Sequence, residues 1–274
     1  MYSRVYIEIT NICNMACSFC HGHHRPNRQM SQDEYAHILR QLAGKTQYIY
    51  HHLMGEPLVH PQLPQFLEMA ARAGFKPMLT TNGTLLPTRG AALLGKGLHK
   101  INISLHSFEG ISPEAHRSYL AGIASFAEKA TADGTIVSLR LWNSGCDEGR
   151  NDTALAFLRQ MLPGQWAENS RGYRIRDKLF LEWGDRFAWP DLNAPDNGPQ
   201  VSCYGLRDHF GILCDGTVVP CCLDSEGAIP LGNVFREELS DILASPRASS
   251  MAEGFRCRKA TEDLCRRCGY AQRF

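Results

Sequence analysis

The eleven cysteines of this 274-residue chain are not scattered. Three fall within eight residues at Cys13, Cys17 and Cys20, one stands alone at Cys146, and seven lie between Cys203 and Cys268. Thiols that merely fill a core show no such grouping, so the clusters point to disulfides or metal. Residues 1–10 include Arg4 and Glu8 and lack a signal-peptide core, and no apolar run approaches the ~20 residues of a membrane helix. The expected location is the cytoplasm, where a reducing poise disfavours disulfides and leaves buried thiols or metal ligands.

A composition 43% hydrophobic and 21% charged supports one substantial core. Net charge is +1 and the basic residues are dispersed, so neither a nucleic acid nor a membrane is an expected partner. The first two thirds alternate strand and helix patterns. Strand periodicity covers 5–10, 47–53, 75–81, 100–106 and 135–142, and a sixth strand lies within 173–183. Helical periodicity covers 31–42 behind a capping box of Ser31 and Glu34, then 61–73, 87–95, 112–132 and 152–162. Six strand–helix repeats predict an α/β fold with a parallel sheet, open or curled into a barrel. Period two puts Asn102, Ser104 and His106 on one face of the fourth strand, and Ser138, Arg140 and Trp142 on one face of the fifth. Buried parallel strands are usually apolar on both faces, so these polar faces predict a wet, ligand-lined interior. Residues 185–200, rich in Pro, Gly, Asn and Asp, read as a linker, and the cysteine-rich remainder as a small metal-stapled module.

Cys13, Cys17 and Cys20 directly follow the first strand, at the end where strand–helix folds place active sites. Three thiolates can hold three irons of a 4Fe–4S cube and leave the fourth open to an amine and a carboxylate. Zinc is the competing metal; its fourth ligand would come from His21, His23 or His24.

The CxxxCxxC spacing with aromatic Phe19 before the last cysteine resembles the signature of radical S-adenosylmethionine (SAM) enzymes. That resemblance implies a partial (β/α)6 TIM-like barrel over residues 1–190 and places Phe19 near the adenine. Gly55-Glu56-Pro57 resembles the family's glycine–glutamate–proline loop, whose backbone meets the cofactor's amino group, although Met54 stands where many members carry another glycine. Asn82 in Thr81-Asn82-Gly83, Ser104 at a ribose-contacting position and Arg117 as a carboxylate holder extend the likeness. Each of these segments alone also reads as an ordinary turn or a solvated side chain.

Cys203, Gly216, Cys221, Leu231-Gly232-Asn233 and the pair Cys265 and Cys268 resemble the SPASM or twitch extension of the same superfamily, over residues 191–274 with the linker. Cys203, Cys221, Cys265 and Cys268 are the chosen ligands of one auxiliary 4Fe–4S cluster; a zinc ribbon is the alternative. Cys222 should point elsewhere, Cys214 should pack, and Cys257 departs from the denser run of two-cluster members. Cys146 is expected to be a small buried residue, or else a reactive thiol or hydrogen-atom donor.

The resemblance implies reductive cleavage of SAM to a 5′-deoxyadenosyl radical and hydrogen abstraction from a small-molecule or peptide substrate, with an oxidative or bond-forming outcome. Flavodoxin or ferredoxin would serve as electron donor. Substrate-facing candidates are Glu8, His106, Arg140, Trp142, Asn143 and Glu182, with Arg140 suited to a carboxylate and His106 or Glu182 to a proton. In the competing reading Glu8, Arg140 and Glu182 neutralise one another. A ferredoxin-like electron carrier or a zinc-stapled interaction module would house the same cysteines without SAM chemistry.

Overall fold

The computed structural model describes residues 1–109 and 112–273. Its strands are β1 (Arg4–Ile7), β2 (Tyr48–Tyr50), β3 (Lys76–Thr81), β4 (Lys100–Ser104), β5 (Ile136–Ser144), β6 (Ala167–Asn169), β7 (Gly172–Arg176), β8 (Leu179–Asp185), β9 (His209–Ile212), β10 (Thr217–Val219) and β11 (Gly232–Asn233). Its helices are α1 (Gln32–Leu42), α2 (Leu63–Arg72), α3 (Leu86–Arg89), α4 (Pro113–Ala132), α5 (Arg150–Met161), α6 (Leu239–Ala244), α7 (Pro246–Arg256) and α8 (Asp263–Arg266). All the described strands join one sheet in the order β11-β10-β9-β1-β2-β3-β4-β5-β8-β7-β6, parallel throughout its centre from β9 to β8.

Local chemistry sets the helix starts. Ser31 accepts from the Glu34 N–H while the Glu34 carboxylate accepts from the Ser31 N–H, so α1 begins with two of its orphan donors satisfied. Ser112 caps α4 in the same way through the Ala115 N–H, with Pro113 at the first helical position. The apolar strand faces, among them Ile7, Ile49, Leu79, Ile103 and Leu139, pack against Ile38, Phe66, Ile123 and Ala127 of the helices. Each large side chain buried there contributes about 1.5–3 kcal/mol, so the core lies outside the sheet and frees its inner face for polar groups.

That inner face is concave. On a flat sheet, β1 and β5 would lie about 19 Å apart at the usual ~4.8 Å strand spacing. Arg140 of β5 nevertheless sits within electrostatic reach of Tyr6 in β1 and Tyr50 in β2, which requires the sheet to curl.

Two expectations change and one gains a part. The sixth strand expected within 173–183 is β8, parallel to β5, and it is preceded by β7 in a hairpin turned through Lys178 at φ 57°. The helix expected over 87–95 is cut to α3 and a tight 3₁₀ turn at Gly90–Leu93, where Gly90 presses so close to Phe126 that a Cβ would stand 2.6 Å from its ring. The cysteine-rich module also shares the sheet, since β9 pairs with β1 along Arg4–Ile7. Among the described residues no helix is long and apolar enough to cross a membrane.

Candidate functional site

The loop carrying Cys13, Cys17 and Cys20 leaves the C-terminal end of β1 and is fastened on every side. Asn82 Nδ2 donates to Asn14 Oδ1 at 3.0 Å, and Asn14 Nδ2 donates to Thr84 Oγ1 at 2.8 Å. Ser18 gives both its N–H and its hydroxyl to Glu109, at 2.7 and 2.8 Å, and Arg186 holds that carboxylate from behind. Trp189 Nε1 donates to the Phe19 carbonyl, while Arg186 lies over the Phe19 ring and His106 packs against it. The three thiols thus sit on a fixed lip, partly exposed and within electrostatic reach of one another. Burial pushes the Cys17 thiol up to about 11 and raises Cys13 as well, a cost that a cationic cluster would remove by binding the thiolates.

Three thiols on one loop suit three irons of a 4Fe–4S cube and would leave the fourth iron without a protein ligand. Of the three histidines that follow the cysteine loop, His23 is held through both ring nitrogens, whereas His24 is largely exposed. His23 has Nε2 on the Asn11 carbonyl and Nδ1 on the Arg25 carbonyl, His24 contacts Glu226, and His21 stacks on Trp189.

Behind this lip, the Gly55-Glu56-Pro57 and Thr81-Asn82-Gly83 loops form one unit. The Glu56 carboxylate, buried and with its pKa raised by that burial, accepts from Thr81 Oγ1 at 2.7 Å, Asn82 N at 2.8 Å and Leu58 N at 3.0 Å. Its own N–H reaches the Ile12 carbonyl, joining both loops to the cysteine loop. Gly55 is obligatory here. Its φ is +75°, and a Cβ would stand 2.5 Å from the Thr10 carbonyl.

The substrate-facing candidates separate. His106, Arg140, Trp142 and Glu182 line the curled interior: Arg140 Nε donates to Glu182 at 3.4 Å, the guanidinium lies 4.4 Å over Trp142, and His106 Nδ1 meets the Arg140 carbonyl at 3.1 Å. Gly184 makes room for that indole, since a Cβ there would come within 2.8 Å of it. Burial holds His106 down to about 4, so it is neutral. Asn143 falls on the opposite face of β5, where it bonds Asn151 of α5 at 3.0 Å. Glu8 is fully buried and bonded to Arg25 at 2.6 Å; it also accepts the Met54 and Cys214 N–H groups, so it braces the cysteine loop rather than facing a substrate. Arg117 lies on the exposed side of α4 beside Glu114, while Ser104 stands half-buried at the end of β4. Cys146 is exposed, contrary to the expected burial, because the chain turns outward after Asn143 at the end of β5.

Sequence reasoning missed Arg25, Glu109, Arg186 and Trp189, which sit in loops without periodicity. It also missed Tyr6, Tyr50 and His52, whose rings gather inside the sheet with centroids 5.0–5.7 Å apart. Period two on β1 and β2 was the available signal for these three.

The second cysteine group lines a small apolar pocket of about 30 Å³, to which Cys203, Cys221, Cys265 and Cys268 all contribute. Cys221 follows the end of β10, and Cys265 and Cys268 bracket the end of α8. Burial raises the pKa of all four thiols, so ionised ligands there require a positive partner. Cys222 turns the other way, to Tyr6, and Cys214 is packed, both as expected. Cys257 is exposed beside Glu253.

Comparison with known proteins agrees with this geometry. Residues 7–128 match the family described as the Radical SAM superfamily, and residues 203–269 match one described as an iron-sulfur cluster-binding domain, SPASM. A probable GTP 3′,8-cyclase of Methanothermobacter marburgensis is 32% identical over 114 residues, 40% of this chain and 36% of that protein, so the match spans about a third of the relative. In the solved structures, BtrN in complex with AdoMet and 2-DOIA is similar with a TM-score of 0.63 at 19% identity, over 98% of this chain and 93% of that one. Streptococcus suis SuiB bound to S-adenosylmethionine is similar at 0.63 and 17%, over 98% and 72%. At these identities the two structures establish the fold.

Proposed function

From its membership of the radical SAM superfamily, with a SPASM iron–sulfur domain after the main sheet, we propose that this enzyme cleaves SAM at a 4Fe–4S cluster held by Cys13, Cys17 and Cys20, then abstracts hydrogen from a small-molecule or peptide substrate. When bound, the cluster supplies the electron that breaks the sulfonium's bond to C5′, giving methionine and a 5′-deoxyadenosyl radical. The chain's own residues position the reactants. Gly55, Glu56 and Pro57 would present backbone groups to the cofactor's amino end, Ser104 would meet its ribose, Asn82 would complete the loop beside it, and Phe19, clamped by Trp189 and Arg186, would lie near its adenine. The Glu56 carboxylate serves by fixing two loops, since its oxygens are already taken.

Cys203, Cys221, Cys265 and Cys268 would close an auxiliary 4Fe–4S cluster, which suits the acceptance of an electron from a substrate radical and hence an oxidative or bond-forming outcome. The division is 1–190 for the SAM-binding part and 191–274 for the linker and cluster part. A cytoplasmic location with flavodoxin or ferredoxin as electron donor completes the reading. The substrate does not carry over from the GTP 3′,8-cyclase relative, which this chain matches over only about a third of its length.

One observation carries the proposal: three thiols share a fixed lip after β1, where three thiolates would hold three irons of a cube with the fourth open to SAM. Anaerobically reconstituted protein given dithionite and SAM should form 5′-deoxyadenosine, and Cys17→Ala should not. Iron and sulfide without SAM cleavage would support an electron carrier, and zinc in place of iron would support an interaction module.

A further inference from the structure

The electrostatics of the curled interior are one-sided. Arg4, Lys100 and Arg140 face it; Glu182 lies 3.4 Å from Arg140 and 3.6 Å from Lys100, while Glu8 is already paired with Arg25. Asp208, an acid within electrostatic reach of Arg4, is held by Arg207 at 2.9 Å. Arg4 and Arg140 come from strands four positions apart in the sheet, yet both lie within electrostatic reach of the same three rings, Tyr6, Tyr50 and Tyr270. The two guanidiniums therefore lie beside the same group of phenols.

The polar atoms around these rings are not all paired. The buried atoms Arg4 Nε, His52 Nδ1 and His209 Nδ1 lack hydrogen-bond partners, and both histidine rings stand within 5.7 Å of the Tyr6 ring. Arg140 is aimed by its stacking on Trp142, and its hydrogen bond to Glu182 uses Nε, on one edge of the guanidinium. Desolvation by burial loosens the protons of both Arg140 and Lys100, which Glu182 only partly offsets. Cations left short of hydration and of counter-charge favour an anion.

We propose that the interior of the curled sheet binds the substrate through an oxyanion, with Arg4 and Arg140 holding a carboxylate or phosphate group and Glu182 tempering Arg140. This rests on the radical SAM reading for the identity of the occupant as substrate, and it narrows that substrate to a negatively charged molecule. The charged group lies against the arginines, and the rest of the molecule extends towards the cysteine lip.

The test is isothermal titration calorimetry on the reconstituted holoprotein at low ionic strength. SAM is kept saturating, so that its own carboxylate does not compete. The probes are inorganic phosphate, malonate and the neutral malonamide. At least one oxyanion should bind and malonamide should not; phosphate alone indicates a phosphate group, malonate alone a carboxylate. Arg140→Gln and Arg4→Gln should each weaken that binding at least tenfold, with Arg140→Lys keeping part of it. Glu182→Gln should tighten it several-fold, a gain that misfolding cannot produce. Equal binding of malonamide, no binding of either anion, or weaker anion binding in Glu182→Gln would overturn the proposal. Wild-type 5′-deoxyadenosine formation in the same samples separates the two readings: anion binding without SAM cleavage defeats the proposed function alone, and cleavage without anion selectivity defeats the oxyanion site alone.

Discussion

Replacing Arg25 by Met should unfold the joint on which both cysteine groups depend. Arg25 Nη2 meets Glu8 Oε2 at 2.6 Å, with Glu8 fully buried and the Arg25 side chain only 12% exposed. Arg25 Nε also donates to the Ser225 carbonyl at 2.7 Å, tying the first cysteine loop to the C-terminal module. Without the guanidinium, the Glu8 carboxylate keeps the long N–H contacts of Met54 at 3.3 Å and Cys214 at 3.4 Å and the weak donor of the Cys214 thiol, with no positive partner among them. Breaking a buried pair from one side costs about 3–5 kcal/mol, since the remaining charge is stranded. At roughly 2–4 °C per kcal/mol for a chain near this size, Tm should fall by roughly 6–20 °C. Thermal unfolding by circular dichroism, on cluster-free and reconstituted protein, measures this. Glu8→Gln with Arg25→Met should lose less than the two single losses added together, because the double variant strands no charge. A Tm for Arg25→Met within a degree or two of wild type, or simple additivity in the double variant, would refute the argument.

Other consequences follow from particular contacts. Gly55→Ala should abolish 5′-deoxyadenosine formation while leaving the iron content of the C-terminal group intact, because the added Cβ strikes the Thr10 carbonyl. Iron analysis should find roughly eight irons in Cys222→Ser, whose side chain faces Tyr6, but about four in Cys265→Ser, which lines the pocket. His51, fully buried and bonded to Tyr35 at 2.6 Å, has its pKa lowered by burial to about 4 from an ordinary 6.5. Its contribution is therefore complete above pH 6.5 and is lost as pH falls towards 4, by about 2 kcal/mol between pH 6.5 and 5. Urea unfolding of cluster-free protein across that range should show the decline, and His51→Asn should flatten it.

Most of the parallel sheet was legible because its strands and helices carry strong periodicity and caps, as at Ser31 and Ser112. The two cysteine groups were legible because metal ligation leaves a spacing in the chain. The hairpin of β7 and β8 was hidden, since a turn through Lys178 at positive φ has no glycine to announce it. Asn143 was misplaced by one step of strand alternation: its neighbours Arg140 and Trp142 face inward, and it faces α5. The roles of Glu8 and Arg25 depend on contacts between residues 17 and 206 positions apart, which no local pattern encodes.

The central claim is that one iron of the N-terminal cluster has no protein ligand and takes up SAM. Electron paramagnetic resonance of the dithionite-reduced wild-type protein, recorded with and without SAM, addresses it directly. One cluster signal should shift when SAM is added, and the signal lost in Cys265→Ser should stay where it is. If SAM moves neither signal, the lip at Cys13, Cys17 and Cys20 is closed and the account fails.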